Sequence, residues 1–177
     1  GNCPATGGLR VRLAKAGERG AQVCGLQGRG DVLGGERDSK FCLKVARDLA
    51  YMLRFVNPAE GPAEVDFQTA ILSHLAIRDS RLPVPRLQES RHGELTPQVT
   101  VDGQVLTLRA ASYLPGIAQY QVSRSPRLMH ELADTLARLD IAHNDFSHPG
   151  ANRDLPCVIN RISRREGWVH QLTAPHT

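Results

Sequence analysis

No stretch of the 177-residue chain is long and apolar enough to cross a bilayer, and its first residues lack the apolar core of a secretory leader. A cytoplasmic protein is the expectation. Aromatic residues make up only 5% of the sequence, too few for the stacking platforms that grip single-stranded nucleic acid. The net charge is a mild +4, and the basic residues are scattered or paired, as in Arg164-Arg165, rather than gathered into a run. Nucleic acid and membrane are therefore not expected partners. The four cysteines, Cys3, Cys24, Cys42 and Cys157, show no CxxC spacing, which fits thiols in a reducing compartment better than a disulfide framework. Three common signatures are also missing: a GxxxxGK(S/T) phosphate loop, a GxSxG nucleophile elbow and an HExxH zinc helix.

What is present suits one ordinary domain, or a lobe and a half of a larger one: 41% hydrophobic residues can form a core, and 23% are charged. Residues 1–24 are rich in Gly, Arg and Lys with a weak apolar pattern (Leu9, Val11, Leu13) and read as a weakly ordered lead-in. Strands are expected over residues 31–33, 41–45 and 51–56. A helix follows from Pro62 to about Ile77, with Pro62 suited to its first turn. Two prolines make residues 82–86 (LPVPR) an extended crossing. Further strands are expected over 86–90 and 98–101, then a hairpin turn at Asp102-Gly103, then a strand from Val105 to Tyr113. Leu114-Pro115-Gly116 breaks the sheet, and Ser125-Pro126 caps a second long helix whose Leu128, Leu132, Leu136 and Leu139 mark one buried face. The fold class is α+β: an antiparallel sheet of about five strands with one inserted helix, then a linker and a further helix.

The centre of the chain is residues 51–76, YMLRFVNPAEGPAEVDFQTAILSHLA. An apolar strand carries a single cation, Arg54; Asn57-Pro58 breaks it; a helix opens with Glu64 in its first turn, where the macrodipole favours a carboxylate. Such a pair can present a cation to phosphate oxygens while the helix fixes its position. The plainer alternative makes Arg54 a strand-face cation satisfied by any nearby carboxylate, such as Asp66.

Five segments occur in one order: Glu36-Arg37-Asp38 with Lys40-Phe41, then YMLRFVN, EVDFQTAILSHLA, LPVPR, and SYLPG at 112–116. In that order they resemble the aminoglycoside-phosphotransferase-like (choline-kinase-like) small-molecule kinases, with the nearest look to the hydroxylysine-kinase and homoserine-kinase-like branches. The likeness runs from about residue 25 to about 155. It implies a protein-kinase-like N-terminal lobe that binds ATP over residues 25–116, and the first helix of an incomplete substrate lobe over 117–177. The implied cofactors are ATP and Mg²⁺, and the implied reaction is phosphorylation of a hydroxyl on a small amine or amino alcohol.

Within that resemblance, Arg54 stands where the family has a lysine that reaches the α- and β-phosphates, with Glu64 as its anchor. The exchange is not neutral, since a guanidinium is planar and bulkier than an ammonium. Lys44, in FCLKVA, falls on the preceding strand instead. The turn made by Gly34, Gly35, Glu36, Arg37, Asp38, Ser39, Lys40 and Phe41 would lie over the phosphates, its backbone N–H groups facing the oxygens. Ser112, Tyr113 and Leu114 would form the hinge whose backbone meets the adenine. His143-Asn144-Asp145 with Asn152 imitates a kinase catalytic loop at the wrong spacing, because the residue five after Asp145 is Gly150. The family's catalytic Asp, its partner Asn and the second metal-binding Asp have no counterparts here, so no catalytic or metal-ligating residue is assigned. A truncated gene product inactive by itself is one expectation. A non-catalytic nucleotide- or ligand-binding module is a second, and a plain interaction domain a third.

Overall fold

The computed structural model describes residues 11–34 and 38–151. Helix α1 (Leu13–Cys24) leads into strands β1 (Arg29–Leu33), β2 (Ser39–Ala46) and β3 (Leu49–Phe55), followed by helix α2 (Pro62–Arg78). Strands β4 (Leu87–Gln88), β5 (Gln98–Val101) and β6 (Gln104–Ser112) come next, and helix α3 (Pro126–His143) follows a linker. The strands run in the order β1-β2-β3-β6-β4, with β5 paired to β6 outside that path, all antiparallel. Asp102 and Gly103, at φ 49° and 81°, make the tight β5–β6 turn that the Asp-Gly signal predicts.

The register divides the sheet into two chemically distinct faces, because directly opposed residues in an antiparallel ladder point the same way and neighbours alternate. Phe41 opposes Leu53, Ser39 opposes Phe55, and Phe55 opposes Leu108. This face holds the main core, closed on the far side by α1 through Ala16, Gly20 and Cys24, with Phe41 and Phe55 edge to face at 5.9 Å. Across the other face run Leu33, Lys40, Arg54 and Arg109, one residue from each of β1, β2, β3 and β6. Helix α2 reaches this second face.

Three expectations need correction. The part of the lead-in from Leu13 is a helix packed on the sheet; its buried residues Ala16, Gly20 and Cys24, each four apart, are small, and a search for large apolar side chains passes over them. The strand expected over 86–90 shrinks to two residues, because Ser90 turns the chain with its hydroxyl and backbone bonded to 92–94. Helix α3 begins as read, with Ser125 Oγ accepting from the Leu128 N–H at 3.2 Å, but only Ala142 of it is buried and Leu136 is 51% exposed. Among the described residues, the second half of α2 and the segment around Leu82 pack against it, through Ile71, Leu75, Leu82, Leu139 and Ala142. Arg138 Nε and Nη2 both donate to Asp79 Oδ2, at 2.9 and 2.5 Å, and tie α3 to the end of α2.

Candidate functional site

Arg54 stands near the end of β3, one row beyond Met52 on the α2 side of the sheet. Its Nε donates to Asp38 Oδ2 at 2.6 Å, its Nη2 to Glu60 Oε2 at 2.6 Å, and its Nη1 to Gln68 Oε1. Each partner is held in turn. Asp38 Oδ1 accepts from the Asn57 N–H at 3.1 Å, and Gln68 Nε2 donates to Glu60 Oε1 at 2.7 Å. The side chains of Arg54, Asp38 and Glu60 are 12%, 7% and 12% exposed, so this network sits largely out of water, where charge-assisted bonds are strong and an unpaired member costly. Arg109, opposite Arg54 on β6, donates from Nη2 to the same Gln68 Oε1 at 3.0 Å. Burial, reinforced by the neighbouring Arg54 charge and opposed by Glu60 and Asp38, pushes its guanidinium down to about 10.

One row toward the break, the same face offers Asp31, Cys42, Met52 and Ala111, with Leu87 beside Ala111. Cys42 is buried in this row, and its desolvation raises the thiol. The row leads to Ser112, Tyr113 and Leu114, where β6 leaves the sheet. The Ser112 N–H is bonded to Arg86 O and the Tyr113 N–H to Ala50 O, both at 2.8 Å, while the Leu114 N–H has no partner among the described residues. A flat apolar group lying on this row would meet a free backbone donor at one end and a guanidinium at the other.

The anchoring of Arg54 differs from the sequence reading. Glu64 is half-buried in the first turn of α2, but the helix side chain that meets Arg54 is Gln68, one turn on, and the carboxylates are Asp38 and Glu60. Asp66, the alternative partner, bonds His148 instead at 3.1 Å. Asp38, expected over phosphates, is the acid that fastens the start of β2 to β3. Phe41 and Ser39 point into the α1-side core; Phe41 is 2% exposed, and Ser39 Oγ accepts from the Val11 N–H. Only their backbones remain available to a ligand on the α2 side. Lys40 shares the row of Arg54, and Gly34 is exposed. Gly35, Glu36 and Arg37 lie outside the described residues, as does Asn152. Asp145 is engaged by His74 at 3.2 Å and Arg78 at 3.1 Å, which makes it a link between α2 and the end of α3. Glu60, Gln68 and Arg109 were missed; their positions opposite or beside Arg54 follow from strand register and helix placement, which no short motif encodes.

The profile of the "Phosphotransferase enzyme family" matches residues 31–175. No curated protein sequence matches significantly. Among solved structures, the spectinomycin phosphotransferase APH(9)-Ia, in complex with ADP and spectinomycin, superposes with a TM-score of 0.66 at 9% identity, covering 96% of this chain and 50% of its own. The amicoumacin kinase hAmiN, in complex with AMP-PNP, Ca²⁺ and Ami, gives 0.66 at 11% identity and covers 94% and 55%. A microcompartment-associated aminopropanol kinase gives 0.60 at 14% identity, covering 89% and 49%. The chain thus spans about half the length of each of these structures and shares the kinase-like fold of that half. No helix among the described residues is long and apolar enough to cross a membrane.

Proposed function

This chain belongs to the phosphotransferase enzyme family, and from that premise we propose that residues 25–116 form its ATP-binding lobe and residues 117–177 the opening of a substrate lobe. The parent reaction is transfer of a phosphoryl group from ATP to a hydroxyl of a small amine or amino alcohol, in a cytoplasmic setting. The motif order resembles that of the hydroxylysine-kinase and homoserine-kinase-like branches, and the aminopropanol kinase among the similar structures supports the amino-alcohol class. The supporting observation is one shared face: Arg54 and the Cys42–Met52–Ala111 row both lie on the α2 side of the sheet, and that row ends at Ala111, directly before β6 breaks off.

In this arrangement the adenine lies on that row with its edge at the Leu114 backbone. The phosphates extend toward Arg54 under the turn that begins at Gly34, with Lys40 beside them. Arg54 supplies bidentate donors, and Asp38, Glu60 and Gln68 hold its plane. ATP ordinarily brings Mg²⁺, but among the described residues no cluster of three His, Cys, Asp or Glu could hold an ion, and Asp38 and Glu60 are committed to Arg54. No step is therefore assigned to a metal on this chain. The sequence contains no HxDxxxxN segment, so binding without turnover is expected of the isolated chain.

Thermal melting with and without Mg-ATP tests this, each variant being compared with its own unliganded midpoint. Stabilisation of the wild type that Arg54→Ala abolishes is the expected result. No shift with any nucleotide would leave a plain interaction domain, and ATP-dependent phosphorylation by the isolated chain would refute the expectation of binding without turnover. A second reading, a non-catalytic ligand-binding module, draws on a cavity of about 340 Å³ between α2 and the β5–β6 hairpin, lined by Val65, Thr69, Val105 and Thr107 among others. Nucleotide stabilisation that survives Arg54→Ala would move the ligand there.

A further inference from the structure

The most unusual group near the site is Arg109. It is 6% exposed, its Nη1 has no hydrogen-bond partner among the described residues, and it faces a second guanidinium across the β3–β6 ladder. Like charges directly opposite on a sheet are destabilising, and a buried donor without a partner is costly. A purely structural role would be served better by Leu or Met.

Charge accounting within the hydrogen-bonded group gives the reason for an arginine here. Arg54 alone against Asp38 and Glu60 makes a cluster of net charge −1, which would repel the phosphates that Arg54 is placed to meet. Arg109, joined to the cluster through Gln68 Oε1, brings the sum to zero. Among the described residues, Lys40, opposite Arg54, and Glu64, in the first turn of α2, carry opposite charges that cancel in this sum.

We propose that Arg109 is a positioning residue for polyphosphate: a buried counter-charge that lets an arginine clamped by two carboxylates still attract a triphosphate. It rests on the ATP-binding reading above, and it acts without touching the ligand. Because the effect is electrostatic, it scales with the charge of the ligand. Adenine contacts are untouched.

Dissociation constants for adenosine, AMP, ADP and ATP, measured by calorimetry on the full chain, give the test. In Arg109→Met, ATP weakens about tenfold, ADP less, and adenosine by less than about twofold. Arg109→Lys restores most of the ATP affinity, and adding Glu60→Gln to Arg109→Met restores it by removing one negative charge. A parallel loss for all four ligands, or no loss for ATP, overturns the proposal. Should Arg109→Met fail to fold, Glu60→Gln alone decides, since it must tighten ATP relative to ADP. If the wild type binds no nucleotide, the ATP reading fails alone, and inorganic tripolyphosphate takes its place. Stabilisation by tripolyphosphate that Arg109→Met loses keeps the counter-charge role; none in the wild type overturns it.

Discussion

The two faces of this one sheet are built from alternate residues of the same strands and have opposite chemistry. On the α1 side, Phe41, Leu53, Phe55 and Leu108 close an apolar core with small helix residues laid against it. On the α2 side, Arg54, Arg109, Asp38, Glu60 and Gln68 form a hydrogen-bonded network in which the buried Arg109 Nη1 has no partner among the described residues. Burial on the first side removes apolar surface from water and stabilises the fold without direction. Burial on the second removes charges from water and is tolerable only while each has a partner. Stability is therefore expected to depend on the first face, and ligand preference on the second.

Phe55→Ala should have the largest effect, about 3–5 kcal/mol of lost stability, since Phe55 is fully buried in that core. Denaturant unfolding reads it, and a cost under about 1 kcal/mol would mean that the α1-side face is not the core. Arg54→Lys comes next. A lysine cannot reproduce three directed contacts, so about 1–3 kcal/mol should be lost, while the family residue keeps the ATP-dependent melting shift. Loss of that shift would show that the fork of the guanidinium, not its charge, meets the phosphates.

The joint between α2 and α3 provides a comparison outside both faces. The side-chain bond from Arg138, with smaller help from the Arg81 backbone and the two Arg charges, holds the Asp79 carboxyl below its usual range. Its pKa is lower in the folded than in the unfolded chain, so its contribution is present above about pH 4 and is lost as pH falls through the depressed folded value. Melting profiles of wild type and Asp79→Asn should therefore differ at neutral pH and converge under acid; a constant gap would break the assignment. The smallest effect belongs to Val32→Ser, within about 0.5 kcal/mol. Val32 opposes Phe41 on the core-facing row, yet it is 68% exposed because β1 lies at the edge. A larger cost would show that the core reaches further than the packing indicates.

Much of the fold was legible locally. Asp102-Gly103 marked its hairpin, Ser125-Pro126 its helix start, and Pro62 the opening of α2, because turns and caps depend on the backbone preferences of one or two residues. The cation Arg54 was legible as well, as one charge in an apolar strand. Its partners were not. Glu64 has the right chemistry in the right turn, but it is Glu60, in the link before the helix, and Gln68, one turn later, that reach the guanidinium. Phe41 sits amid the turn residues by position and yet belongs to the core by side-chain direction, because a strand reverses its face at every residue. Helix α1 was missed for a related reason: its contact stripe is made of Ala, Gly and Cys, whose value lies in close approach rather than in hydrophobic size.

By itself the sequence determined the order of the elements after α1, the breaks between them and the presence of one cation ahead of a helix, since each follows from local propensity and periodicity. Only the tertiary structure decided which acids hold that cation, that Arg109 stands beside it, and that α3 leaves Leu136 of its apolar stripe exposed and the rest of that stripe only half-buried. Those facts depend on strand register and on the seating of α2 over the sheet. Such long-range geometry brings residues 38, 54, 60, 68 and 109 together, though no two of them are neighbours in the chain.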